Sequence, residues 1–274
     1  VFFARTGMRL PVFDAFHPNP DLQDCVAGAA LYQEKGCDGL ISIGGGSAMD
    51  TAKGIKALLM TDIAHVRANQ LPPEGKVPHL AIPGTAGTGA ETTAVAVLYE
   101  DGQKLSVDHP ALLPDGVLLD GSLLDTLPEY HRKSCAMDAL AQGIESWWAK
   151  KATPGSRIHA ERAIRGVLDN LTAYLQGDRK AQDEMLHAAY ESGVAILTTR
   201  TTAAHAMSYQ ITKKLGAAHG HACMLTLPHL WAHLAAQAEY QPMLTELAHI
   251  LGGEKPMDGA VLLKGLLAVL ELEY

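Results

Sequence analysis

Two glycine-rich turns, each fed by a short apolar run, constrain this chain more than any other feature. Gly39-Leu40-Ile41-Ser42-Ile43 runs straight into Gly44-Gly45-Gly46-Ser47, and His79-Leu80-Ala81-Ile82-Pro83 runs into Gly84-Thr85-Ala86-Gly87-Thr88-Gly89-Ala90-Glu91. Short apolar runs bounded by glycine predict buried strands. Helical periodicity over residues 23–36 and again over Ala48–Met60 gives the alternation of helix, strand, helix and strand that predicts an α/β layer on a parallel sheet. Leu71-Pro72-Pro73-Glu74-Gly75 predicts a surface loop between helix and strand. Beyond about Asp120 glycine becomes sparse, and Ala/Leu/His-rich helical patterns follow one another to the end. The expected division is therefore 1–122 for an α/β domain and 123–274 for an all-helical one. The chain opens on a strand-like Val1-Phe2-Phe3 and stops at Leu270-Glu271-Leu272-Glu273-Tyr274 inside a helical pattern, so the expectation is a chain cut short at both ends.

With 47% hydrophobic residues in 274, a large core is available without staples. The net charge of -8 is spread along the chain, which argues against a nucleic-acid partner. No run reaches the roughly eighteen apolar residues of a membrane helix, and no signal-peptide plan opens the chain, so a cytoplasmic protein with no membrane partner is expected. Cys25, Cys37, Cys135 and Cys223 form no CxxC pair, and their scatter predicts reduced packing thiols.

At the first turn, Gly44, Gly45 and Gly46 precede Ser47, a candidate N-cap, with Asp50 three residues on to close a capping box. Bare N–H groups at such a helix start make an anion seat suited to a pyrophosphate. The same motif also serves as a tight turn that binds nothing, and it lacks GxGxxG spacing. Two glycine-rich loops after consecutive strands can line one crevice, which favours a nucleotide, with Thr85 and Thr88 offering hydroxyls. Ordinary turn chemistry remains open for either Thr. Lys104 completes the residues assigned to the cofactor.

In Cys135-Ala136-Met137-Asp138-Ala139-Leu140-Ala141-Gln142-Gly143-Ile144-Glu145, helical spacing puts Asp138, Gln142 and Glu145 on one face of an otherwise apolar helix. Buried carboxylates need partners, and a cation with His205 and His219 would supply them; core histidines bonded to neighbouring carbonyls are the competing reading.

Taken together, Gly44-Gly45-Gly46-Ser47, Ile82 to Glu91, Asp138-Ala139-Leu140, Ile144-Glu145-Ser146, His205-Ala206 and His219-Gly220 resemble the iron-containing, group III alcohol dehydrogenases, in that family's order and over nearly the whole chain. The resemblance implies a Rossmann-like N-terminal domain and a helical C-terminal domain like that of dehydroquinate synthase. It also implies NAD or NADP, a divalent metal (Fe, with Zn or Mn as substitutes), a homodimer, and reduction of a small aldehyde to a primary alcohol. The family's usual ligands, one Asp and three His, carry over to Asp138, His205 and His219, with Gln142 standing where the remaining His belongs. Gln142 is then a neutral amide ligand, a harder and weaker donor than imidazole. Tyr209 replaces a His common in the family four residues after His205, so proton relay falls to Tyr209 or His221. The segments around Trp147-Trp148, Thr201 to Tyr209 and His219 to Ala222 look like the phosphonoacetaldehyde reductase (hydroxyethylphosphonate dehydrogenase) branch, whose substrate needs cations such as Arg200, Lys213, Lys214 or His221 unless these are solvated surface charges. His229 and His233, one helical turn apart, are read as packing or surface residues. Two alternatives stay open: a polyol or glycerol-type dehydrogenase on the same scaffold, and a non-catalytic nucleotide-binding subunit. The resemblance also implies that NAD is told from NADP near an N-terminal strand end, which is expected to lie before the first residue here, so the choice between the two cofactors stays open.

Overall fold

The computed structural model describes residues 10–73 and 77–273. The strand-like Val1-Phe2-Phe3 and the Glu74-Gly75 end of the expected loop lie outside them. The chain forms two compact units: Val1–Ile43, Ser47–Ala81 and Ala94–Gly116 in the first, and Gly44–Gly46, Ile82–Thr93 and Val117–Tyr274 in the second. The grouping is not one cut in sequence, because both glycine-rich turns group with the helices.

The first unit begins with α1 (Leu22–Glu34), capped by a box in which the Asp21 carboxylate accepts the Gln23 N–H and Asp24 accepts the Asp21 N–H at 3.1 Å. Strand β1 (Leu40–Gly44), helix α2 (Gly46–Met60), the short α3 (Ile63–Arg67) and strand β2 (His79–Pro83) follow within two residues of their expected bounds where these were set. The Leu40 N–H donates to the Pro78 carbonyl at 2.8 Å and the Gly84 N–H to the Gly44 carbonyl at 2.7 Å, so β1 and β2 run parallel. The short β5 (Gly116–Val117) joins on the far side of β2.

A hairpin absent from the sequence-based expectations separates β2 from β5. Strands β3 (Val95–Glu100) and β4 (Gln103–Asp108) pair antiparallel around Asp101-Gly102. Both turn residues have positive φ, 50° and 71°, as a two-residue hairpin turn matched to strand twist requires. Leu98 and Val107 from this hairpin, Leu22 and Cys25 from α1 and Ile55 from α2 form the apolar core of the unit. Burial pushes the Cys25 thiol up to about 12, in keeping with a packing role.

His79 gives this unit a pH dependence. Its ring is buried with Nε2 2.8 Å from Ser42 Oγ, and burial, then Lys56 and Lys53, push it down from 6.5 to about 4. The unfolded chain takes up this proton between those values while the folded chain does not. Stability is therefore full above 6.5 and falls as pH drops through the window, by up to roughly 3 kcal/mol. Denaturant unfolding near pH 7 and near pH 5 is expected to show this loss, and a smaller one in His79→Gln.

The second unit is helical from α4 (Glu129–Trp148) through α5 (Pro154–Leu175), α6 (Arg179–Thr199), α7 (Ala203–Leu215), α8 (His219–Ala235), α9 (Gln241–Ile250) and α10 (Asp258–Val269). Helix α4 is central: Ala136 to Trp147 are buried on every side, with α5, α6 and α8 packed around them. The expected helical run to the chain end stops at Val269. Glu271 takes φ 56°, which breaks the helix, and Leu272 turns back into the core. Among the described residues no helix is long and apolar enough to cross a membrane.

The second glycine turn meets α6 backbone to backbone. Gly89 has φ 58°, and a Cβ on Gly193 would lie 2.3 Å from the Gly89 carbonyl oxygen and 2.1 Å from Thr92 Oγ1. Gly193→Ala is expected to cost roughly 3 kcal/mol, because backbone must move to relieve the overlap. A thermal melt unchanged from the parent chain would contradict this.

Candidate metal centre

Asp138, Gln142 and Glu145 are all buried on α4, as their spacing predicts. What brings partners to them is the crossing of α4 by the first turn of α8. A Cβ on Gly220 would lie 2.0 Å from the Ser134 carbonyl oxygen and 2.7 Å from Asp138 Cβ, so only glycine lets the two helices touch there. That contact delivers His219 and, one helical turn later, Cys223 to Asp138, while α7 brings His205 from another direction.

The ligand atoms of Asp138, His205, His219 and Cys223 all lie within 4.8 Å of one another. His205 Nε2 is 3.3 Å and His219 Nε2 3.9 Å from Asp138 Oδ1, and Cys223 Sγ is 3.9 Å from His219 Nε2. Tetrahedral coordination at the usual metal–ligand lengths puts neighbouring donors about 3.3 to 3.6 Å apart. The group therefore fits a divalent ion with little movement. His219, 38% exposed, is the member that solvent reaches; the other three are buried.

Each imidazole has its second nitrogen engaged. His205 Nδ1 donates to Glu145, and the same carboxylate accepts the Ala204 N–H at 2.8 Å and the Thr202 hydroxyl. A carboxylate only accepts, so His205 Nδ1 carries the proton and Nε2 faces Asp138. His219 Nδ1 is 3.2 Å from Ser208 Oγ. These are the outer contacts that orient ligating histidines. Burial would raise the Asp138 carboxyl, but His219, His205 and the Gln142 amide hold it below its ordinary value. Burial likewise opposes ionisation of Cys223, and His205 and His219 bring its thiol below the ordinary value. The packing-thiol reading thus suits Cys135, pushed up to about 12 by burial, but not Cys223. The missed signal was local: His219 and Cys223 are four apart on one helix.

Gln142 stands beside the group but presents the wrong end of its amide for a ligand. Its Nε2 donates to the Thr88 carbonyl at 3.2 Å, and its Oε1 accepts from Ser192 Oγ at 2.7 Å. The Thr88 carbonyl cannot donate, which fixes the amide nitrogen on that side, and the amide also hydrogen-bonds the Asp138 carboxylate.

The two glycine turns pack on one another: Cβ atoms on Gly45 and Gly46 would each lie 3.1 Å from the Cγ2 atoms of Thr85 and Thr88. Thr88 Oγ1 accepts the Ala90 N–H at 3.2 Å, which is turn chemistry. The expected capping box of Ser47 and Asp50 does not form. Helix α2 starts at Gly46, which places Ser47 inside the first turn, and Ser47 Oγ accepts the Asn19 N–H at 3.2 Å. Asp50 instead accepts a backbone hydrogen bond from Val97; burial lifts it to about 7 against the opposing pull of Lys53 and Lys104. Lys104 is exposed on β4, opposite Tyr99.

Of the proton-relay candidates, the Tyr209 ring lies against His219, with centroids 5.7 Å apart. His221 stands outside the donor group. Its Nε2 is 2.7 Å from the Leu272 carbonyl oxygen and its Nδ1 3.1 Å from the Tyr130 hydroxyl, so it ties the chain end to α4 and α8. Arg200 caps α6 with φ 62°, Lys213 and Lys214 are exposed in the last turn of α7, and His229 and His233 are exposed on α8.

Residues 3–121 match the family described as iron-containing alcohol dehydrogenase, and residues 133–272 match the C-terminal region of the Fe-containing alcohol dehydrogenase family. The phosphonoacetaldehyde reductase of Streptomyces viridochromogenes is 36% identical over 230 residues, 78% of this chain and 58% of that protein. The probable alcohol dehydrogenase EutG of Escherichia coli is 35% identical over 216 residues, 76% of this chain and 54% of that protein. The chain thus spans somewhat more than half the length of these relatives. Among solved structures, the sulfoacetaldehyde reductase of Bifidobacterium kashiwanohense in complex with NAD+ superposes with a TM-score of 0.90 at 29% identity, covering 99% of this chain and 74% of that one. Matched along both of its parts and carrying an Asp and two His gathered on crossing helices, the chain belongs to the iron-containing alcohol dehydrogenase family.

Proposed function

We propose that this chain works in the NADH- or NADPH-linked reduction of a small aldehyde to a primary alcohol, with a divalent metal held by Asp138, His205 and His219. The observation that carries the reading is the donor group itself: ligand atoms within 4.8 Å, with each His oriented through its other nitrogen. When bound, the metal supplies Lewis acidity at the aldehyde oxygen, and the reduced nicotinamide supplies the hydride to the carbonyl carbon. Asp138 provides negative charge at the centre. Glu145 keeps the His205 proton on Nδ1 and the Nε2 lone pair turned inward. Tyr209, lying against His219, is our choice of proton donor to the alcohol oxygen. The turns at Gly44–Gly46 and Gly84–Gly89 are the seat we assign to the cofactor pyrophosphate, with the α2 N-terminus contributing N–H groups.

The finer reading is phosphonoacetaldehyde reduced to 2-hydroxyethylphosphonate. It is supported by the similarity to a phosphonoacetaldehyde reductase and to a sulfoacetaldehyde reductase, whose named substrates are both anionic aldehydes. Other relatives are named for lactaldehyde and methanol, so a substrate panel is the test. Metal-reconstituted chain is assayed for NADH and NADPH oxidation with phosphonoacetaldehyde beside uncharged aldehydes and polyols. Strongest turnover on phosphonoacetaldehyde is expected. Preference for an uncharged aldehyde or a polyol overturns the finer reading, and folded protein without turnover on any substrate points to a non-catalytic subunit.

A further inference from the structure

We propose that Cys223 Sγ is the fourth ligand of the metal centre, in the place that Gln142 gives up. This rests on the reading that Asp138, His205 and His219 hold a divalent ion. Three observations support it. Cys223 is buried, one helical turn beyond His219 on α8, and its sulfur lies within 4.8 Å of the ligand atoms of Asp138, His205 and His219. The Gln142 amide is committed to the Thr88 carbonyl and the Ser192 hydroxyl, with its nitrogen side also toward Asp138, so its oxygen is taken up by Ser192. The 3.9 Å between Cys223 Sγ and His219 Nε2 is close to the separation of about 3.6 Å that sulfur and nitrogen adopt on one tetrahedral ion.

The donor count stays at four while the donor set changes to one carboxylate, two imidazoles and one thiolate. A thiolate shifts preference toward softer ions such as Zn²⁺ and away from an all-nitrogen and oxygen site. Gln142 becomes a positioning residue, an amide clip that holds Asp138 in register with α6 and the second glycine turn.

The test is spectroscopic and does not depend on turnover. The full chain, stripped of metal, is titrated with Co²⁺, and the Zn²⁺-loaded form is measured by X-ray absorption. The expected result is visible d–d absorption together with a thiolate-to-cobalt charge-transfer band, and one sulfur neighbour about 2.3 Å from zinc. Cys223→Ser is expected to lose both sulfur signatures, and Gln142→Ala to keep them. Cobalt bound with d–d bands but no charge-transfer band in the parent chain overturns the proposal and leaves the metal site standing. Folded chain that binds neither ion overturns the metal reading and this proposal with it. Should Cys223→Ser fail to fold, the parent and Gln142→Ala spectra decide the question by themselves.

Discussion

Asp138→Ala is expected to lower turnover by about three orders of magnitude or more, the scale of several kcal/mol of Lewis-acid stabilisation withdrawn from the reaction. Asp138 is the one carboxylate whose oxygen joins the donor group, and His205 and His219 both face it. Without it the remaining donors, two imidazoles and the Cys223 sulfur, are one short of four and carry one negative charge fewer, so metal content after dialysis should fall together with turnover. The fold should survive, because Ala keeps the Cβ that packs on Gly220. Cofactor binding, followed by nicotinamide fluorescence, should also persist, since no part of the assigned pyrophosphate seat involves Asp138. Three readings separate the explanations. Turnover near the parent level removes Asp138 from the centre; a melting temperature that collapses along with turnover assigns it to structure; loss of metal and turnover from a folded, cofactor-binding chain is the expected pattern.

The sequence already displayed the α/β alternation and the helical second half, because both rest on local periodicity and on glycine at strand ends. The β3–β4 hairpin was equally local: Asp101-Gly102 between paired strands is a hairpin signal that the glycine turns on either side overshadowed. The site divided differently. Asp138 and Glu145 could be placed on one helical face from spacing, whereas His205 and His219 became candidates for ligation chiefly through family resemblance. The direction of the Gln142 amide was out of reach, since Thr88 and Ser192, which fix it, are 54 and 50 residues away in sequence. The surroundings of His221 were out of reach for a related reason. His221 stands two residues from His219, and the Leu272 carbonyl at its ring comes from 51 residues further along the chain.

Glu145 is expected to carry the largest stability effect of any polar residue at this site. Its buried carboxylate accepts from the Ala204 N–H near the start of α7, from the Thr202 hydroxyl and from His205 Nδ1. Burial would raise its acid, but these donors hold it below its ordinary value, so the bonds are made to the ionised form. Glu145→Ala strands three donors at once, two of them buried and the Thr202 hydroxyl half-buried, and should cost roughly 3 to 5 kcal/mol, or on the order of 10 °C in melting temperature for a chain of this size. Glu145→Gln separates structure from metal binding. Its amide oxygen can still accept from Ala204 and Thr202, so most of the stability remains, but an NH2 group now faces His205 Nδ1. The ring answers by moving its proton to Nε2, the nitrogen directed at Asp138, where a protonated nitrogen cannot ligate. Metal affinity is therefore expected to fall by about 10- to 100-fold in a chain that melts close to the parent. A Glu145→Gln chain that binds metal as the parent does would mean that His205 takes its orientation from packing in α7 and not from the Glu145 carboxylate, and would leave Glu145 as the polar cap of that helix alone.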